Sequence, residues 1–299
     1  MATIQVIRAN RFKTGVYVMR PGFDDGDPRA TERYLDYCGT AKKEDDRTWV
    51  LAQWGTRLNF GNCTERLGDD GFYYYEDAVR TFAVNPETGA FKMDLNGSAI
   101  YGDTPRTPDE AWGHILVEQG FTHVQKLTNV KAIYATLDFE LTRFEDRFAD
   151  PSQCDPGVHA AQLLWYFTIN NILTPEQQAE GNLGRHNDYI WFGVPLFDNR
   201  TPIQKESWQF DKGTGQFIYG LGNDLYLPGP AEVGKRMRFT VDIAPYMRRA
   251  LEIVQGEGGM KDVLFENLAF TCFNFGWELP GTYDVGATIY EINVEIVEE

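Results

Sequence analysis

The chain has 299 residues, with 44 acidic against 28 basic side chains and a formal charge of −16. That balance, with no local block of Lys and Arg, excludes a long contact with a polyanion, so nucleic acid is not an expected partner. No apolar stretch approaches the roughly 18 residues needed to cross a bilayer as a helix, so no membrane partner is expected either.

Aromatic residues make up 14% of the chain, and 29 Gly and 14 Pro punctuate it, a composition that favours short strands joined by loops. Residues 1–299 read as a single elaborated β domain, because no linker separates two cores. Cys38, Cys63, Cys154 and Cys272 are widely spaced and specify no pairing.

Ile4 to Ala9 alternates as a strand and lacks the charged start and apolar core of a signal peptide. An extracellular or periplasmic location is expected only if a native signal segment is absent from this chain. Residues 23–47 are a polar excursion. Its acidic clusters at Asp24, Asp25 and Asp27 and at Asp45 and Asp46, like Asp69 and Asp70 further on, are read as solvated loops. No cofactor is expected beyond a structural calcium ion that one such loop has the oxygens to hold.

Thr48 to Phe60 alternates so that a strand burying Val50, Ala52, Trp54, Thr56 and Leu58 turns Gln53, Arg57 and Asn59 to a ligand-facing side. Short strands follow at 77–84, 90–95 and 98–101, and Thr107, Pro108, Asp109 and Glu110 have the composition of a helix start. In the next strand, 124–144, Asp138 and Glu140 share a face about 7 Å apart. That is the simplest glycosidase arrangement in the chain, one carboxyl protonating the leaving oxygen while the other attacks or activates water. The alternative is an ordinary solvated face.

Ala161 to Ile172 reads as a strand, with a short helix as the alternative; as a strand it presents Gln162, Tyr166 and Asn170 on one side. Thr174 to Gln178 can start one helical turn. In 188–196, Ile190, Phe192, Val194 and Leu196 take the core side, leaving Tyr189 and Trp191 to stack on the C–H face of a sugar beside the space at Gly193. The opposite orientation buries Trp191 between sheets. His159 and His186 precede these two strands and can reach the same groove. Arg236 to Ile243 is a strand leading into an amphipathic helix at 244–254, and strands return at 267–275 and 285–297. Glu278, read as a loop residue after Trp277, is a further candidate acid. No nucleophile elbow, phosphate loop, dinucleotide fingerprint or Cys-x-x-Cys unit occurs.

Trp208-Gln-Phe, Arg238-Phe-Thr-Val-Asp-Ile with its following helix, and Phe275-Gly-Trp-Glu-Leu-Pro-Gly before the terminal strand resemble the concanavalin A-like lectin and glucanase sandwiches. The resemblance implies an all-β, antiparallel two-sheet sandwich (jelly roll) with short peripheral helices, and a glycan bound on a concave sheet. The glucanase pattern Glu-x-Asp-x-x-Glu is absent and Asp138-Phe-Glu140 only partly matches it. The expectation is therefore binding of a neutral or weakly charged oligosaccharide or polysaccharide through Gln53, Arg57, Gln162, Tyr166, His186 and Trp191. The alternative is hydrolysis by Asp138, Glu140 and Glu278, with a polysaccharide lyase or a protein-binding sandwich behind it.

Overall fold

The structure is a computed structural model and describes residues 2–8, 11–22, 31–37, 49–53, 56, 58–120, 126–180, 183–184, 188–212 and 214–299. The strands in chain order begin with β1 (Thr3–Gln5), β2 (Val16–Met19), β3 (Thr31–Leu35), β4 (Trp49–Ala52), β5 (Thr64–Leu67) and β6 (Tyr73–Glu76). They continue as β7 (Arg80–Val84), β8 (Phe91–Asn96), β9 (Gly113–Gly120), β10 (Val130–Asp146), β11 (Gln162–Asn171) and β12 (Tyr189–Gly193). The remaining six are β13 (Phe197–Asp198), β14 (Ser207–Phe210), β15 (Phe217–Gly220), β16 (Arg236–Asp242), β17 (Leu268–Leu279) and β18 (Tyr283–Glu298).

An eight-stranded sheet runs β16-β10-β18-β8-β7-β6-β5, with β1 beside β18. A ten-stranded sheet runs β14-β15-β12-β11-β17-β9-β4-β2-β3, with β13 beside β11. Among the described residues only β12 with β15 and β2 with β4 pair in parallel. The protein is thus an all-β two-sheet sandwich, as the resemblance implied, with its main core between the sheets.

Period-two patterning builds that core. Phe91, Met93 and Leu95 of β8 point inward while Lys92, Asp94 and Asn96 do not. Leu163, Trp165, Phe167 and Ile169 of β11 meet Phe273, Phe275 and Trp277 of β17, all of them buried. Each such side chain contributes roughly 1.5–3 kcal/mol by leaving water. Trp277 also crosses between the sheets, its Nε1 donating to the Met93 carbonyl at 3.1 Å.

Among the described residues three short α-helices lie outside the sheets: α1 (Gly97–Tyr101), α2 (Pro175–Glu180) and α3 (Ala244–Gly256). The first replaces a strand expected at 98–101. The second is opened by a reciprocal capping box, Thr174 N donating to Gln177 Oε1 at 2.9 Å and Gln177 N to Thr174 Oγ1 at 3.2 Å. The third buries Met247, Ala250, Leu251 and Val254, the expected apolar stripe. No helix starts at Thr107; its N–H is satisfied by the Glu110 carboxylate at 2.7 Å, which closes a turn instead.

The phase of β4 is the reverse of that read from the sequence. Trp49 and Leu51 join the main core, whereas Val50 and Ala52 pack with Met19 and Leu116 in a small apolar cluster on the other side of the ten-stranded sheet. Both faces of this strand are apolar, so alternation alone does not fix which one looks inward.

Candidate functional site

The outer face of the ten-stranded sheet carries two polar rows. Register places Gln162 of β11 between Asp198 of β13 and Glu278 of β17, with His114 of β9 beyond Glu278. Four residues further along the strands, Tyr166 stands between Gly193 and Asn274, followed by Glu118. Trp191, opposite Thr168 on one side and Ile218 on the other, lies one row beyond, with its ring 5.8 Å from that of Tyr189.

These positions follow from inward neighbours. Leu163 and Trp165 fix the parity of β11, Ile190 and Phe192 that of β12, and Phe275, Trp277 and Leu279 that of β17. Glu278 is therefore a strand residue, not the loop residue expected, and it lies at the same level as Gln162. At Gly276 the backbone has φ 149°, and a Cβ there would run into the Ile115 carbonyl oxygen. Only glycine lets β17 take this path.

Glu278 is half-buried, its carboxyl makes no hydrogen bond or ion pair among the described residues, and burial pushes that carboxyl up to about 7. The Tyr166 phenol is pushed up by burial first and then by the charges of Glu278 and Asp198, which places all three in one electrostatic neighbourhood. His114 is held down to about 4, by burial and then by Arg80, and is neutral at physiological pH. The Cys272 thiol, on the same face, is pushed up by burial and then by Glu118.

Asp198 is fixed. Its Oδ1 accepts from the Arg200 backbone N at 2.9 Å and Arg200 Nε at 3.0 Å; its Oδ2 accepts from Arg200 Nη2 at 2.7 Å and Gln162 Nε2 at 2.8 Å. Neither Asp198 nor Arg200 was singled out in the sequence. The only signal was a turn-forming Asp-Asn-Arg run, whose Asp198 side chain bonds the Arg200 backbone two residues on.

Beside Tyr166 a cavity of 190 Å³ is lined by Ser207, Trp208, Gln209, Ile218 and Gly220. The space at Gly193 is filled by the Tyr166 ring, 2.6 Å from where a Cβ would sit, rather than left for a ligand. A second cavity of 180 Å³ lies at the start of β9, where Gly113 pairs with Leu279, with Ile100, Tyr101 and Trp112 on its walls.

The other expected residues are elsewhere. Gln53 is fully buried; its Nε2 donates to the Met19 carbonyl at 2.6 Å and its Oε1 accepts from Phe60 N at 2.7 Å and Arg80 Nη1 at 3.0 Å. Contrary to expectation it is a structural brace with no group left for a ligand. Arg57 and His186 lie outside the described residues, as do Asp24, Asp25, Asp27, Asp45 and Asp46. His159 is buried, its Nδ1 accepting from Asp155 N at 2.9 Å and its Nε2 donating to the Arg106 carbonyl at 2.8 Å, so both ring nitrogens are spent.

Asp138 and Glu140 project from the outer face of the eight-stranded sheet, because Leu137, Phe139 and Leu141 take the core side. Arg236 clasps Asp138 through Nε at 2.7 Å and Nη2 at 2.8 Å, and Glu140 accepts from the Tyr290 hydroxyl at 3.1 Å. The structure thus separates this pair from Glu278 by the thickness of the sandwich. Among the described residues no cluster of three or more His, Cys, Asp or Glu side chains has metal-binding geometry.

No family model and no curated protein matches the sequence. Among solved structures the chain is similar to the endoglucanase cel12A from Rhodothermus marinus, at 9% identity over 79% of this chain and 97% of that one, with a TM-score of 0.41. It is also similar to a family 12 xyloglucanase from Bacillus licheniformis, at 10% identity over 79% and 97%, with a TM-score of 0.44. A third is the xyloglucanase domain of NopAA, a type three effector from Sinorhizobium fredii, in complex with cellobiose, at 10% identity over 79% and 98%, with a TM-score of 0.38.

Proposed function

We propose that the outer face of the ten-stranded sheet binds a neutral or weakly charged oligosaccharide or polysaccharide. The observation that carries this reading is the side-by-side placement of the Gln162 amide and the Glu278 carboxyl on a face that carries Tyr166 and Trp191 further along the strands. Amide and carboxyl groups bond sugar hydroxyls, and aromatic rings cover the apolar faces of the ring. Arg200, which borders the row, is consumed by Asp198, so among the described residues this row offers no cation to an acidic sugar.

A glycan array tests the reading. Binding that is lost in a folded Trp191→Ala variant supports it; binding unchanged when Gln162, Tyr166, Trp191 and Glu278 are each replaced sinks it.

A second reading, hydrolysis, is favoured by the proton that Glu278 keeps up to about pH 7, the state a general acid needs. A retaining mechanism also requires a second carboxyl about 5 Å away, and the position facing Glu278 is an amide, Gln162, which cannot attack. Asp198 is two strands from Glu278, about 10 Å by strand spacing, close to the separation of an inverting pair. Its oxygens are already filled, however, and binding therefore ranks first. Release of reducing ends from an oligosaccharide panel, abolished in Glu278→Gln, would reverse the order.

A further inference from the structure

Gln162 is held at one end only. Asp198 as a carboxylate only accepts, so the group of Gln162 facing it must be the Nε2 amide, which leaves Oε1 directed away from Asp198 and without a partner among the described residues. The orientation is enforced from behind. Arg200 contributes three of the four hydrogen bonds to Asp198, and its own Nη1 donates to the Pro156 carbonyl at 3.2 Å, anchoring the guanidinium to the 151–157 loop. Asp198 is 5% exposed, so water is a poor substitute for these donors.

We propose that Arg200 is a positioning residue of this groove: through Asp198 it turns the Gln162 carbonyl oxygen to the ligand and screens the Asp198 charge from Glu278. The groove then meets its ligand with a fixed acceptor at Gln162 beside the Glu278 carboxyl, a pair that takes the hydroxyl groups of an uncharged sugar. The identity of the ligand rests on the glycan reading. The arrangement of Arg200, Asp198 and Gln162 does not.

The groups facing Glu278 are few. Gln162 and Tyr166 approach from β11, His114 and the more distant Glu118 from β9, and Asp198 with Arg200 from β13 and the turn after it. His114 stays neutral, and with Asp198 compensated by Arg200 it is burial alone that raises the Glu278 carboxyl.

Two readouts test the proposal on the intact chain without any ligand. The first follows the Glu278 carboxyl carbon by NMR through a pH titration, with the resonance identified by its loss in Glu278→Gln. The midpoint is expected near 7 in the parent and in Arg200→Lys, which keeps the charge. In Arg200→Gln it should rise by about one pH unit, as an unscreened carboxylate comes within range. The second is protection of the Gln162 side-chain amide protons from exchange, expected in the parent and Arg200→Lys and lost in Arg200→Gln and Asp198→Asn. A folded Arg200→Gln with an unmoved midpoint, or a parent whose Gln162 amide is unprotected, overturns the proposal. If Arg200→Gln does not fold, Asp198→Asn and Arg200→Lys still decide the amide arm. Shifted midpoints in a protein that binds no glycan would uphold the positioning role and reject only the glycan reading.

Discussion

Gln162 and Glu278 stand opposite each other across the β11–β17 ladder, the amide tied to Asp198 and the carboxyl tied to nothing among the described residues. This asymmetry decides what each contributes: a fixed acceptor on one side, a proton that comes and goes near neutrality on the other.

Glu278 makes stability depend on pH in a stated direction. Its folded value is raised from 4.5 to about 7, so the native state holds the proton more tightly than the unfolded chain. Stability is at its full value below 4.5, falls as pH rises from there to about 7, and is level above it, the total loss being about 2 kcal/mol after allowance for partial solvent access. Glu278→Gln removes the slope. Denaturant midpoints at pH 5 and pH 8 should differ less in the variant than in the parent; equal slopes would mean that Glu278 titrates normally.

Trp191 and Tyr166 are predicted to serve the groove more than the fold. Trp191→Ala should weaken oligosaccharide binding at least ten-fold, the loss expected for one aromatic platform, while shifting the melting temperature by only a few degrees. Calorimetric titration alongside a thermal melt separates the two effects.

Two glycines should respond differently to the same substitution. Gly276→Ala meets the Ile115 backbone at a φ of 149° and is expected to cost several kcal/mol. Gly193→Ala meets only the Tyr166 ring and should cost less stability while tilting that ring and weakening binding. Comparable destabilisation of both would contradict this division.

On the opposite sheet, Arg236→Ala should lower stability by about 1–2 kcal/mol by removing two hydrogen bonds from the buried Asp138 carboxylate and leaving it only Arg238, 4.0 Å away. Glycan binding should be unaffected, and the same holds for Glu140→Gln. A binding defect in either variant, measured at a temperature where the variant is folded, would place the ligand on the wrong face here.

The legibility of the sequence followed the apolarity of the strands. In β11 one side is apolar and the other mixed, so alternation correctly separated Gln162, Tyr166 and Asn170 from Leu163, Trp165 and Phe167. In β4 both sides are apolar, because Met19 and Leu116 supply a second partner for Val50 and Ala52, and the phase was read backwards; Gln53 went with it. Glu278 was visible only as a charge after an aromatic run, since nothing local says that β17 continues to Leu279. The Asp198–Arg200 clasp was hidden because turn chemistry and ligand-shaping chemistry use the same residues.

The two long strands at the end of the chain have a further consequence. β17 occupies the middle of one sheet and β18 the middle of the other, joined only by Pro280, Gly281 and Thr282. Until residues 268–298 are in place, β11 and β9 on one side and β10 and β8 on the other have no shared neighbour, and five ladders, that of β1 on β18 included, remain open. A chain in which residues 268–298 have not yet docked therefore carries unpaired strand edges in both sheets, and both halves of the core close in a single non-local event.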